Sequence, residues 1–291
     1  MTTTASAALT PPFAADPSRP FGRRPRYAAP ATLAPAQLLQ HAVDCYIKGR
    51  LYDALDVCEQ AMGRFPPLAR DALLLAYEMY LPLGDADRFT LYQARHYNFG
   101  IRPGDKVLDI GSGNHPLAFA THLADLAVED NNYGRAGSPF KHLAGRPVFN
   151  CPVEQMPFAD KEFDFVYCSH VLEHVADPER ACRELQRVGK RGYLETPTLG
   201  KDMWLNVGKI SHHRWHVALF SDVLEFTEYA PRDLDGVETD LLLDMHVRPQ
   251  TDREKAFSAL VLLKSDILNT MLLWEGQFRM SARRQAGGHT G

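Results

Sequence analysis

The spacing of apolar residues changes along the chain at about residue 96. Between residues 36 and 95 apolar side chains recur every three or four positions, which predicts helices. Gly49, Pro66 and Gly84 interrupt this pattern and divide it into three or four helices. Beyond residue 96, short apolar runs of strand length alternate with helical segments. This alternation predicts an α/β fold with a doubly wound, mostly parallel sheet.

The strands and one helix of the second region can be placed individually. Asp177 and Pro178 are typical of a helix start, so a helix is expected over 177–188, ended by Gly189. A late apolar run at 270–280 predicts an antiparallel strand at the edge of the sheet. The parallel strands are predicted over Val107–Ile110, Ala120–Leu126, Arg146–Pro152, Phe163–Ser169 and Arg191–Pro197.

Composition divides the chain into three segments. Residues 1–35 are rich in Thr, Ala and Pro and predict a disordered tail whose arginines are solvated. Residues 36–95 predict a helical cap containing one hairpin of the tetratricopeptide type. Because stable arrays of such repeats need about three copies, we interpret the hairpin as a cap, with docking of a protein partner or a second copy as the alternative. Residues 96–291 predict the α/β domain, with a substrate insertion at about 200–255.

Charge and cysteine content exclude several classes of protein. The net charge of −4 gives no basic excess, so no nucleic-acid partner is expected. The five cysteines show no CxxC spacing, which favours reduced thiols and a cytoplasmic location. No apolar run is long enough for a membrane span, and the N-terminus lacks an apolar signal core.

Two sequence blocks carry the chemistry. VLDIGSGNHP (107–116) predicts a buried strand followed by a glycine turn, an arrangement that forms ligand crevices at the carboxyl ends of parallel strands. The second block spans 154–198 and contains MPF, FDFVYCSHVLEHVADP and ELQRV. Together they resemble the class I S-adenosylmethionine (SAM)-dependent methyltransferases of the type 11-like group. The resemblance implies a Rossmann-like sheet of the seven-stranded type, SAM as cofactor and S-adenosylhomocysteine as product.

The resemblance also implies which residues bind the cofactor. Asp109 would orient the methionine ammonium group, and Asp125 at the end of the second strand would accept the ribose hydroxyls. Glu129 and Asp130 compete with Asp125 for that role. The turn between these acids consists of Gly111, Ser112 and Gly113.

The chain departs from the family pattern at two places. Pro152 stands where the family has an acid that binds adenine, which leaves the Val153 and Glu154 amides as donors and Met156 as an apolar surface. The third glycine of the usual turn is missing, so the helix after the first strand is expected to be short or absent. Ser169, at the end of the fourth strand, is expected to line the cofactor.

Histidines are the candidate catalytic residues. His170 follows the fourth strand, and His212, His213 and His216 lie together in SHHRWHV. Three interpretations of this segment remain open. One histidine is a general base, since imidazole titrates nearest neutral pH; or Arg214 and Trp215 clamp the substrate; or the segment is an ordinary polar strand.

No metal site is predicted from the sequence. His170 and His174 share a helical spacing around Glu173, but VLEH is common in the resembled family without a metal, and no third ligand is spaced nearby.

The function expected is methyl transfer from SAM to O or N of a small molecule, by resemblance a specialised metabolite or a sugar. The first alternative is a catalytically degenerate scaffold that binds partners through its helices, which Pro152 and the missing glycine favour. The second is an NAD-dependent enzyme, which is disfavoured because Pro116 occupies the third glycine position of GxGxxG.

Overall fold

The computed structural model describes residues 20–84, 86–132, 135, 137–205, 213–230 and 240–285. The chain forms two compact units, one of residues up to 100 together with 251–263, the other of residues 101–250 and 264 onward. None of the helices in the described ranges has the length and apolar character that crossing a bilayer requires.

The elements run in chain order as follows. The helices are α1 (Pro35–Ile47), α2 (Leu51–Arg64), α3 (Ala69–Tyr80), α4 (Ala94–His96), α5 (Pro178–Val188), α6 (Leu199–Leu205), α7 (Asp240–Val247), α8 (Asp252–Leu263) and α9 (Ser265–Leu268). The strands are β1 (Gly22–Arg23), β2 (Tyr97–Asn98), β3 (Val107–Ile110), β4 (His122–Asp125), β5 (Val148–Asn150), β6 (Phe165–Ser169), β7 (Arg191–Pro197), β8 (Trp215–Phe220), β9 (Val223–Glu228), β10 (Asn269–Glu275) and β11 (Arg279–Arg283).

The first unit is helical, as the apolar spacing predicts. The helices α1 to α3 end close to the predicted breaks, and 3₁₀ turns follow at Pro66–Leu68 and Leu81–Leu83. Helix α8 also belongs to this unit and packs on α3, with an ion pair between Arg70 and Asp252. The prediction assigned the residues of α8 to the α/β domain, because sequence order does not show which unit a helix packs against. The predicted boundaries at 35 and 95 themselves remain predictions.

Part of the predicted tail is held against α2. Arg24 and Arg26 both donate to the buried Asp56, and the Tyr27 amide donates to the same carboxylate at 3.0 Å. For residues 20–35 the prediction of a disordered, solvated segment is therefore wrong, because composition gives no sign of the buried acid that these arginines neutralise. Residues 1–19 lie outside the described residues.

The main sheet of the second unit confirms the predicted fold class. Its strand order is β10-β7-β6-β3-β4-β5, so the described residues form six strands where the seven-stranded type was expected. Strands β3 to β7 pair in parallel, and β10 pairs antiparallel with β7 at the edge, as predicted for the late apolar run. The chain between β3 and β4 contains no helix, as the missing third glycine predicts. Asp177 caps α5 by accepting from the Arg180 amide.

A second sheet, of order β11-β9-β8, was not predicted. The late apolar run forms two strands separated at Gly276, whose φ is +71°, and β11 pairs in parallel with β9. Alternate residues of β8 are buried, so Trp215 and Val217 enter the core while His216 lies on the other face. All five cysteines are buried free thiols.

Candidate functional site

The centre of the main sheet is a topological switch point. After β3 the chain crosses to β4 on one side, whereas β6 pairs with β3 on the other, and such points form ligand crevices. Gly111 and His170, which follow these strands, both have left-handed backbone, with φ of +72° and +58°. A Cβ on Gly111 would lie 2.1 Å from Cγ2 of Val171. We expected this glycine to make room for a ligand, but in the structure Val171 fills that space.

Asp109 and Ser112 lie buried beside this turn. Asp109 is 1% exposed, and its Oδ2 accepts from the Leu117 amide at 2.7 Å. The Ser112 hydroxyl is also buried and has no hydrogen-bond partner among the described residues. A buried hydroxyl without a partner is costly, so its position favours a polar ligand group at this point.

Asp125 ends β4, where the ribose acceptor is expected. Its Oδ2 accepts from the Gly113 amide and its Oδ1 from the Ala127 amide, both at 3.0 Å. The guanidinium of Arg135 lies 3.5 Å from Oδ1 and also donates to carbonyls of the following loop. A carboxylate has about four acceptor positions, so these three donors leave one open. The competing Glu129 is exposed.

The predicted adenine side is more buried than the sequence suggests. Val153 and Met156 are 4% exposed and pack in the hydrophobic core, and the Met156 amide donates to Glu184. The side chain of Glu154 accepts from the Ala176 amide. These contacts fix the loop after β5, and the role of its residues in adenine binding stays a prediction.

His170 lies between two buried carboxylates. Its Nε2 is 3.1 Å from Oε1 of Glu195 on β7, and its Nδ1 is 3.3 Å from Oε1 of Glu173. Lys201 also approaches Nε2, at 3.3 Å. The buried Ser169 hydroxyl lies 3.5 Å from Glu195. Both imidazole nitrogens of His170 thus face groups of this network.

Both carboxylates are ionised by their neighbours. Burial raises the pKa of Glu195, but the hydrogen bond and charge of His170, with Lys201 and Tyr193, more than offset it and lower the pKa to about 2. Burial also raises the pKa of Glu173, but His170 and two further histidines outweigh this effect and lower the pKa to about 2.

The three histidines of SHHRWHV lie in different environments. His213 Nδ1 is 3.1 Å from Oδ1 of Asp202 in α6, and although burial lowers the pKa of His213, Asp202 raises it above the ordinary value. His216 is half-buried near the Tyr229 ring, and burial lowers its pKa despite the charge of Asp202. His212 lies outside the described residues.

The two residues of the predicted clamp differ in burial, with Trp215 in the core and Arg214 exposed. Trp215 is 0% exposed, packs against Phe226, and donates from its indole nitrogen to the Val175 carbonyl at 2.7 Å. The prediction that Trp215 stacks on a substrate is therefore wrong, because no part of its ring is accessible. The guanidinium of Arg214 forms an ion pair with Glu228.

Residues 108–194 match the family model described as "Methyltransferase domain". Over these residues the chain carries a methyltransferase domain. The match begins in β3 and ends in β7, and so contains the switch point, Asp109, Asp125 and the VLEH segment. This confirms the resemblance found in the sequence.

Methyltransferases are also found among the individual relatives of this domain. The chain is 35% identical over 132 residues to a ubiquinone/menaquinone biosynthesis C-methyltransferase of Cupriavidus taiwanensis, an alignment covering 42% of this chain and 49% of the relative. It is 34% identical over 113 residues to sterol 24-C-methyltransferase ERG6B of Gibberella zeae, covering 34% and 30%. The chain thus spans half or less of these relatives. The YcgJ protein of Bacillus subtilis is 25% identical over 33% of this chain and 46% of that one, with a TM-score of 0.26.

Several charged residues near the carboxyl ends of the main sheet's strands, which we call the polar edge, were not found from the sequence. Glu195 lies inside a strand, and Lys201, Asp202 and Arg135 belong to segments without a motif. Glu195 could have been indicated by its position as a charged residue near the carboxyl end of a predicted strand. Lys201, Asp202 and Arg135 reach the polar edge only through the tertiary fold, which the spacing of residues in the sequence does not show.

Proposed function

We propose that this chain is a SAM-dependent methyltransferase that transfers a methyl group to O or N of a small-molecule acceptor. The observation that carries the proposal is the position of Asp109 and Asp125 at the ends of adjacent parallel strands, joined by a glycine turn, within the matched segment. The buried Ser112 hydroxyl, which lacks a partner among the described residues, belongs to this turn and fits a polar cofactor.

Each residue at this edge has a separate role in the proposal. Asp109 and Ser112 would hold the methionine portion of SAM. Asp125 would accept one ribose hydroxyl at its unoccupied acceptor position. It would accept the second hydroxyl only if the Arg135 guanidinium, 3.5 Å away, moved aside. Bound SAM supplies a methyl group on a sulfonium, whose leaving group is a neutral thioether. The protein's contribution is then mainly to orient the acceptor in line with that methyl group.

A general base is needed where the acceptor loses a proton. Among the described histidines we assign this role to His216. Its lowered pKa keeps the imidazole neutral near pH 7, as a base requires. His213 has a raised pKa and faces Asp202, and both nitrogens of His170 face carboxylates or Lys201.

The acceptor class is tested by transfer of labelled methyl from SAM to a panel of phenols, amines, sugars and quinones. The proposal predicts label on oxygen or nitrogen. Because the named relatives are C-methyltransferases, carbon is the competing acceptor atom, and label found only on carbon would contradict this part of the proposal.

The five buried thiols support a cytoplasmic location. A second copy or another protein bound through the N-terminal helices also remains a proposal.

A further inference from the structure

Three side chains with metal-binding atoms meet beside the polar edge of the methyltransferase domain. Glu173 and His174 follow β6, and His213 precedes β8. One ligand-capable atom from each lies within 4.8 Å of the other two. The rings of His174 and His213 meet edge to face, with centroids 4.7 Å apart.

The carboxylate of Glu173 is poorly satisfied by the protein. It is fully buried, yet neither oxygen makes a well-aligned hydrogen bond to any described residue. His170 and His174 approach Oε1 only at 3.3 and 3.8 Å. Buried carboxylates are normally paired and hydrogen-bonded, or they coordinate a metal. The poor alignment therefore points to a ligand beyond the protein's own groups.

The surroundings of His213 indicate which of its nitrogens would bind. Its Nδ1 lies 3.1 Å from Oδ1 of Asp202, an ion-pair distance without hydrogen-bond alignment, and Asp202 accepts from the Tyr229 hydroxyl at 2.9 Å. A histidine that binds a metal commonly donates its other N–H to a carboxylate, which fixes the ring. With Nδ1 facing Asp202, Nε2 of His213 is the nitrogen left for a metal.

We propose that Glu173, His174 and His213 bind one divalent transition-metal ion of the Zn²⁺ type. Two imidazoles and one carboxylate suit Zn²⁺ rather than Mg²⁺ or Ca²⁺, which prefer oxygen ligands. Zinc bonds of about 2.1 Å place tetrahedral ligand atoms about 3.4 Å apart, so the three groups close inward by about 1 Å on binding. Both histidines are partly exposed, which leaves a path for the ion and a coordination position for water.

The absence of a metal motif in the sequence is explained by the fold. The sequence prediction considered His170 and His174 around Glu173 and rejected a metal, because no third ligand is spaced nearby. The third ligand is His213, which reaches them only through the tertiary structure. The competing hypothesis is an ion cluster without metal, in which protonated histidines alone neutralise Glu173.

The two hypotheses are distinguished by zinc binding to the full chain, expressed without a histidine tag and freed of metal with a chelator. Isothermal titration with Zn²⁺ is compared for the parent, His174→Ala, His213→Ala, Asp202→Asn and the control His142→Ala, which removes an exposed histidine outside the cluster. The test depends on the partly exposed histidines, since replacing the buried Glu173 would disturb the core. Circular dichroism verifies that each variant is folded.

The proposal predicts one zinc per parent chain and at least a tenfold loss of affinity in each ligand variant. Asp202→Asn should weaken binding by roughly 10- to 100-fold, the usual effect of removing a carboxylate behind a metal-bound histidine. His142→Ala should bind as the parent does. Failure of the parent to take up zinc, or equal uptake by the parent and both ligand variants, would overturn it. Because metal binding is measured without SAM or acceptor, the result is independent of the proposed methyl transfer.

Discussion

The two halves of the main sheet's carboxyl edge hold their buried acids by different means. On the side of β3 and β4, Asp109 and Asp125 accept from backbone amides, and an arginine lies beside Asp125. On the side of β6 and β7, Glu195 and Glu173 face the histidine His170. Amide and guanidinium donors keep their protons at all physiological pH values, whereas imidazoles gain and lose them near neutrality.

This difference separates binding from chemistry along one edge. The first half can hold a cofactor in a geometry that does not change with pH. The second half contains imidazoles, a class of side chain that transfers protons and binds metals, and its Glu173 lacks well-aligned hydrogen bonds among the described residues. Variants in the two halves should therefore affect different measured quantities.

The largest effect is expected from His216→Ala, which removes the histidine of β8 proposed as the general base. Loss of a general base should lower kcat by roughly 10²–10⁴-fold while SAM affinity stays within about a factor of two. Because burial lowers the pKa of His216 below its ordinary value of 6.5, kcat/KM of the parent should rise with pH on a limb below that value, and the variant should lack it. Rate measurements across pH check this, with His142→Ala as the control. Near-parent turnover in the variant would leave His216 without a catalytic role.

A smaller effect, on the affinity for SAM, is expected from variants on the side of β3 and β4. Asp125→Ala should weaken SAM binding by about 1.5–3 kcal/mol, since a charge-assisted hydrogen bond to the ribose is lost. The exposed Glu129→Ala should change it much less. Calorimetric titration of both variants provides the comparison. The reverse ranking would show that the ribose acceptor lies in the loop after β4.

The smallest effect concerns stability and pH. Because the pKa of His213 is raised in the folded state, its pairing stabilises the protein fully below about pH 6.5, and this contribution is lost as the pH rises through the raised pKa. In chelator-treated protein, the stability difference between parent and His213→Ala should therefore shrink over that range. Urea unfolding at several pH values measures it. A difference independent of pH would exclude a charged His213 paired with Asp202.

The sequence predicted elements whose signals are local. Strands β3 and β7 have the predicted bounds, and α5 begins after the predicted cap at Asp177. The second sheet was missed because the late apolar run was predicted to be one strand. In the structure β10 ends before Gly276, and β11 pairs with β9 in the second sheet.

The candidate site was predicted in part for the same reason. Asp109 and Asp125 lie near the ends of strands, His170 follows one, and all three were found from their position in the sequence. The contact of His213 with Glu173 and the burial of Trp215 depend on the packing of β8 against the main sheet's core, which the sequence alone does not show.

The central claim is that this methyltransferase domain binds SAM on the side of β3 and β4, where Asp109 and Asp125 lie. Isothermal titration of the folded full chain with SAM, S-adenosylhomocysteine and NAD tests it most directly. We expect saturable binding of SAM and S-adenosylhomocysteine at one site per chain, weakened in Asp125→Ala, and no binding of NAD. Binding of NAD alone, or no binding of either adenosyl compound, would contradict it and favour the NAD-dependent enzyme or the degenerate scaffold respectively.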